Sequence, residues 1–124
     1  SVAAYNRGNC LRAIHDNSDA AASYMQAIKR DPEFVEAWFN YAGLLREEGK
    51  VVPAREHLNR AIEIDPDYAD AVYNLATLEY DAGQLAEARR WWARYLELDQ
   101  NSEWARTAAR GIAYADAQLR RSAG

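Results

Sequence analysis

A chain of 124 residues with a formal charge of −4, from 15 basic and 19 acidic side chains, can bury one hydrophobic core but lacks the cationic excess of a nucleic-acid binder. Apolar residues make up 49% of it and charged ones 27%, which excludes a disordered polyelectrolyte. No apolar run approaches the roughly 20 residues of a membrane span, no secretory leader opens the sequence, and Cys10 is the single cysteine, so no internal disulfide forms and a reducing, cytoplasmic setting is expected.

Apolar residues recur at spacings of three and four, and no stretch alternates long enough to make a strand. The first expected helix covers residues 3–14. His15, Asp16, Asn17 and Ser18 follow as a turn with N-cap chemistry. The second covers 19–30 and is stopped by Asp31-Pro32. The third, 35–48, ends at Gly49, where glycine lets the chain leave in a left-handed conformation. A fourth helix over 53–64 opens on Pro53, tolerated in a first turn because the missing N–H has no partner there, and Asp65-Pro66 closes it. The fifth covers 69–82 and meets Gly83; the sixth covers 85–98. A seventh runs from 103 to about 120 behind Ser102 as N-cap. Trp104, Ala108, Ile112, Ala115 and Leu119 form its apolar stripe, so it should lie as a lid on the preceding pair.

The stretch RDPEFVEAWFNYA at residues 30–42 returns as IDPDYADAVYNLA at 64–76, an offset of 34, and a worn third copy follows at the same interval with Gln100 in place of proline. Ala20 with Tyr24, Ala54 with Leu58 and Ala88 with Trp92 repeat an alanine-x3-large step. Gly8, Ala42 and Ala76 repeat a small residue between paired helices, and Trp38 and Val72 a large one opening the first helix. This 34-residue helix-turn-helix pattern resembles the tetratricopeptide repeat. The resemblance implies an all-α, right-handed superhelical α-solenoid of antiparallel helix pairs, with repeats over 1–34, 35–68 and 69–102 and a capping helix over 103–124. Ala4 and Arg7 depart from the family's tryptophan and leucine, so no further repeat is expected to cover the start. Glu79, Tyr95 and Gln100 mark the third repeat as a terminal one.

Catalytic chemistry is not expected. His15 falls in a turn and His57 on an outer helix, with no His-x3-His or Cys-x2-Cys spacing, phosphate loop or nucleophile elbow, so neither metal nor cofactor is implied. Glu47-Glu48, Arg89-Arg90 and Arg120-Arg121 read as solvated helix surface, Trp92 as core, and Trp91 as packing on the lid helix.

Asn6, Asn40 and Asn74 exceed what packing requires. They recur at 34-residue intervals, each behind an aromatic residue: Tyr5, Phe39 and Tyr73. Asparagine inside a helix costs about half a kcal/mol relative to alanine. By resemblance, the first helices line a concave groove in which these asparagines bond the backbone of an extended peptide, with Asn9 and Thr77 one turn on and Arg12, Arg46 and Tyr80 beyond. The alternative is polar surface inherited by duplication. A clamp for chaperone C-termini is not expected: Asn9 and Asn40 match that pattern, but Tyr5, Asp70 and Asn74 stand where it needs cations.

The expected function is a non-enzymatic module that binds a segment of another protein, with no nucleic-acid or membrane partner. Alternatives are a homo-oligomer formed through the uncovered first repeat, or an accessory domain of an enzyme. Thirteen arginines against two lysines, and a segment from Arg89 to Arg110 similar to the closing repeat of some bacterial transcriptional regulators, imply a larger bacterial parent.

Overall fold

The computed structural model describes residues 17–123 and shows helices α1 (Asn17–Arg30), α2 (Val35–Glu47), α3 (Val51–Ile64), α4 (Ala69–Asp81), α5 (Leu85–Leu98) and α6 (Glu103–Ala123). No strand occurs among the described residues. The expected helix over 3–14, with Tyr5, Asn6, Asn9 and Arg12, lies outside them. Two compact units meet at the Asp65-Pro66 bond, the first holding α1 to α3 and the second α4 to α6.

Repetition in sequence becomes repetition in backbone geometry. Phe34 and Tyr68, 34 residues apart, precede their helices at the same φ −76 and ψ 88. Gly49 at φ 76 and Gly83 at φ 80 take the left-handed conformation that glycine allows without Cβ strain. Lys50 N–H then donates to Leu45 O at 2.9 Å and Gln84 N–H to Glu79 O at 2.8 Å, satisfying carbonyls the helix ends would leave open. These short turns send each following helix back along its predecessor. α2 and α4 end one residue before the expected positions because Glu48 and Ala82 already have ψ near 0. α3 starts at Val51, so Pro53 is its third residue, still within the first turn.

In the first unit Ala20, Tyr24 and Leu44 form a buried cluster with Tyr41 against it, and Ala54 and Leu58 bring α3 onto α2. In the second, Val72, Leu75 and Ala76 of α4 meet Ala88, Trp92 and Tyr95 of α5. Arg94 ties the turn ahead of α4 to α5 by donating to Pro66 O at 3.0 Å and Asp67 Oδ1 at 2.9 Å.

The lid helix packs on α5 through the expected stripe, with Ala105 in place of Trp104 at its start. Trp104 is 60% exposed, and the buried stripe is Ala105, Ala108 and Ala115, with Ile112 and Leu119 half-buried. Small side chains allow the close approach that an indole would block. Closest of all is Gly111, where a Cβ would stand 2.6 Å from the Trp92 ring. The ring under Gly111 is that of Trp92, while Trp91 lies half-buried with the Arg90 guanidinium 4.9 Å from its ring. Arg89, expected as solvated surface, pairs with Asp116 of α6.

Candidate functional site

On α4, Asp70, Tyr73, Asn74, Thr77, Tyr80 and Asp81 fall at helical spacing and share a face. On α6, Trp104, Thr107, Arg110 and Tyr114 do the same. The two rows border a groove floored by Tyr95 and Trp92 of α5. Its smaller recess, about 150 Å³, is lined by Asp70, Tyr73, Asn74, Tyr95 and Trp104. The larger, about 360 Å³, runs from Tyr73 and Thr77 to Tyr80, Arg110 and Tyr114 over Trp92 and Gly111.

Aromatic edges and faces order this surface. Tyr73 meets Tyr95 and Trp104 edge to face, each at 5.3 Å between centroids, and Tyr80 meets Trp92 at 5.6 Å and Tyr114 at 5.9 Å. Such geometry places positive ring edges on negative faces. Tyr80 is 39% exposed and Tyr114 47%, so contact area stays open to solvent.

Four residues expected from sequence, Tyr73, Asn74, Thr77 and Tyr80, therefore come together here. Trp104, Arg110 and Tyr114 were missed because the lid was read only as a cover. Their signal was a second row, one residue out of phase with the apolar stripe. Phe39, Asn40 and Arg46 lie half-buried on α2 of the first unit. That unit has a broader open recess of about 1150 Å³ lined by residues including Met25, Trp38, Tyr41 and His57, none of them an expected site residue. His57 there donates from Nδ1 to Pro53 O at 2.7 Å.

The asparagines have a structural role that spacing did not reveal. Asn40 Nδ2 donates to Glu36 O and Asn74 Nδ2 to Asp70 O, both at 2.7 Å, and Thr77 Oγ1 donates to Tyr73 O at 3.1 Å. Each side chain folds back on the carbonyl four residues earlier, so both asparagine repeats fix one rotamer.

Beneath the smaller recess, Asp99 gathers the end of α5 and the start of α6. Tyr95 OH donates to Asp99 Oδ2 at 2.8 Å, Ser102 Oγ donates to the same oxygen, and Asn101 N–H donates to Oδ1 at 3.1 Å. Ser102 Oγ also accepts from Ala105 N–H at 3.2 Å, the expected N-cap. The Ser102 bond first, then those from Tyr95 and Asn101, hold the Asp99 carboxyl down to about 2 from 3.8. Burial, then the bond to Asp99, raises the Tyr95 phenol. Asp99 thus contributes stability that is complete above pH 3.8 and lost as pH falls through about 2. Melting temperatures across that window should fall more steeply for the parent chain than for Asp99→Asn, and parallel curves would contradict it.

Among the described residues no cluster of three His, Cys, Asp or Glu side chains could hold a metal, and no helix is long and apolar enough to cross a membrane.

Two sequence-family models described as tetratricopeptide repeat match the chain, over residues 5–69 and 45–111. No curated protein sequence matches it. Among solved structures it resembles the first TPR of Spaghetti (RPAP3) bound to the HSP90 peptide SRMEEVD, with a TM-score of 0.85 at 20% identity over 95% of this chain and 91% of that one. The TPR2B domain of yeast Sti1 in complex with pHsp70 gives 0.83 at 26% identity, over 93% of this chain and 94% of that one. The TPR domain of P58(IPK) gives 0.88 at 24% identity over 96% of this chain, which spans 33% of that longer one. What is shared at these identities is the fold, the all-helical α-solenoid class.

Proposed function

Because the chain belongs to the tetratricopeptide repeat family, we propose that it is a non-enzymatic module that holds an extended segment of a partner protein against the faces of its first helices. The observation that carries this reading is the open aromatic surface between α4 and α6, where Tyr73, Asn74, Thr77 and Tyr80 meet Trp104 and Tyr114. Solved relatives of the same fold hold an HSP90 peptide in one case and pHsp70 in another, which supports a polypeptide ligand.

Tyr73, Tyr80 and Tyr114 supply apolar contact with little rotamer entropy to lose. Asn74, oriented by its bond to Asp70 O, borders the segment, and Asn40 repeats the same bond to Glu36 O within the first unit. By the repeat relation, Phe39 and Arg46 hold corresponding sequence positions in the first unit, and Tyr5, Asn6, Asn9 and Arg12 in the first repeat. A chaperone-type carboxylate clamp is not proposed, since Asp70 and Asn74 occupy positions where a clamp requires cations. A larger bacterial parent of regulator type rests on the Arg89 to Arg110 resemblance and the arginine bias alone.

The test is selection of binders from a random-peptide display library on the full chain. Tyr80→Ala should weaken a selected peptide by about 1–2 kcal/mol. The Tyr80 ring also packs on Trp92 and Tyr114, so some stability is lost as well, and the two affinities are compared at a temperature where both chains are fully folded. Glu56→Arg, on exposed α3 surface, should bind like the parent. The opposite pattern would move the working surface away from the groove.

A further inference from the structure

The smaller recess has a chemistry of its own. Three rings, Tyr73, Tyr95 and Trp104, stand around it, Tyr73 making T-shaped contacts with the other two at interplanar angles of 67° and 74°. Trp104, 60% exposed, gives this lining its most accessible aromatic surface. The one ionised group in the lining is the Asp70 carboxylate, which is exposed and pairs with no cation among the described residues. Arg110, the cation of the groove, lines the larger recess instead and donates to Thr107 Oγ1 at 3.4 Å. At about 150 Å³ the recess is smaller than the roughly 300 Å³ at which pockets for whole small molecules begin, so it suits the end of one side chain.

From this geometry we infer that the recess of Asp70, Tyr73, Tyr95 and Trp104 receives a lysine or arginine side chain from the bound partner segment. It rests on the reading that this face takes a polypeptide, and it specifies the partner's charge. Ring faces carry the negative end of the aromatic quadrupole and attract a cation, most strongly at tryptophan. The carboxylate adds a charge-assisted bond at one wall. An acidic side chain would meet repulsion from both, and an uncharged one would gain neither. The Asp70 charge already acts on this space: behind burial and the bonding to Asp99, it adds to the upward shift of the Tyr95 phenol.

Because no partner is in hand, the probes are four blocked pentapeptides, Gly-Gly-X-Gly-Gly with X as Arg, Lys, Gln or Glu, titrated into the full chain. The readouts are the indole N–H signal of Trp104 and the ring signals of Tyr80 and Tyr114. The Arg and Lys peptides should shift Trp104 saturably and the Gln and Glu peptides should not. Asp70→Asn should weaken the Arg peptide about threefold at the Trp104 signal, and Trp104→Ala, followed at the Tyr73 ring signals, about fivefold, both through exposed positions that leave the fold intact. Equal binding of all four peptides at Tyr80 and Tyr114, with no charge preference at Trp104, overturns the inference and leaves the groove reading standing. No shift at any of the three rings overturns both. An unchanged affinity in Asp70→Asn also overturns it.

Discussion

Truncating Trp92 to alanine is expected to lower unfolding free energy by about 3–5 kcal/mol, the range for a large aromatic side chain removed from a packed interior. Trp92 is 5% exposed, and its ring spans the two packing layers of the second unit. One edge fills the space against α4, where Tyr80 stands 5.6 Å away, and the other lies on Gly111 of α6. Few neighbours could collapse into the vacated volume, because Gly111 offers no side chain. The indole N–H has no hydrogen-bond partner among the described residues, so Trp92→Phe, which removes that donor, should cost much less than Trp92→Ala. Chemical denaturation would measure both. Equal losses for Phe and Ala would show that the ring is not the packing element described here.

Valine at position 111 should destabilise by the opposite route. A first added carbon would stand 2.6 Å from one Trp92 ring carbon and 2.7 Å from two more. The obstacle is a buried ring, not the free end of a flexible chain, so α6 must lift or the indole leave its rotamer. Overpacking of this kind costs about 1–3 kcal/mol, and the helix propensity gained by replacing glycine offsets less than about 1 kcal/mol. The sign is therefore unfavourable. In a Trp92→Ala background the same valine should be close to neutral, since the atoms it strikes are gone. A double-mutant cycle in denaturant measures that coupling, and additive losses would place the two residues apart.

These two residues also show where sequence reading stopped. The helices were legible because a 34-residue offset aligned glycine on glycine and Asp-Pro on Asp-Pro, and each has a backbone consequence: positive φ at Gly49 and Gly83, an end of helix at Asp31 and Asp65. Ser102 announced its cap by type and position. Ala108, Ile112, Ala115 and Leu119 were legible as the lid's packed stripe, but its first member was not, since Trp104 and Ala105 both begin acceptable three-and-four series. Hydrophobicity favours the tryptophan, whereas the space available under α6 admits only the alanine. Gly111 likewise reads as a weak helix former until the ring beneath it is seen.

At the site, the shared face of Tyr73, Asn74, Thr77 and Tyr80 followed from helical spacing. The facing row of Trp104, Arg110 and Tyr114 depended on how α6 docks. The bonds from Asn40 and Asn74 to carbonyls four residues back are rotamer facts, to which periodicity is blind.

The lid helix turns one side to Trp92 and the other to the groove, so its docking and the filling of that groove form a single thermodynamic linkage. A segment bound across α4 and α6 requires α6 in place, and by mass action it must hold α6 in place: about 2.7 kcal/mol when ligand is at a hundredfold its dissociation constant. Occupancy would then register as slower backbone amide exchange along residues 103–123, far beyond the few amides in contact with ligand. Conversely, on the proposed function, a substitution at Ala108 or Gly111 that leaves α6 undocked for an appreciable fraction of the time raises the apparent dissociation constant as the docked fraction falls, without touching the ligand. On that function, affinity and the stability of this last helix are set by the same residues.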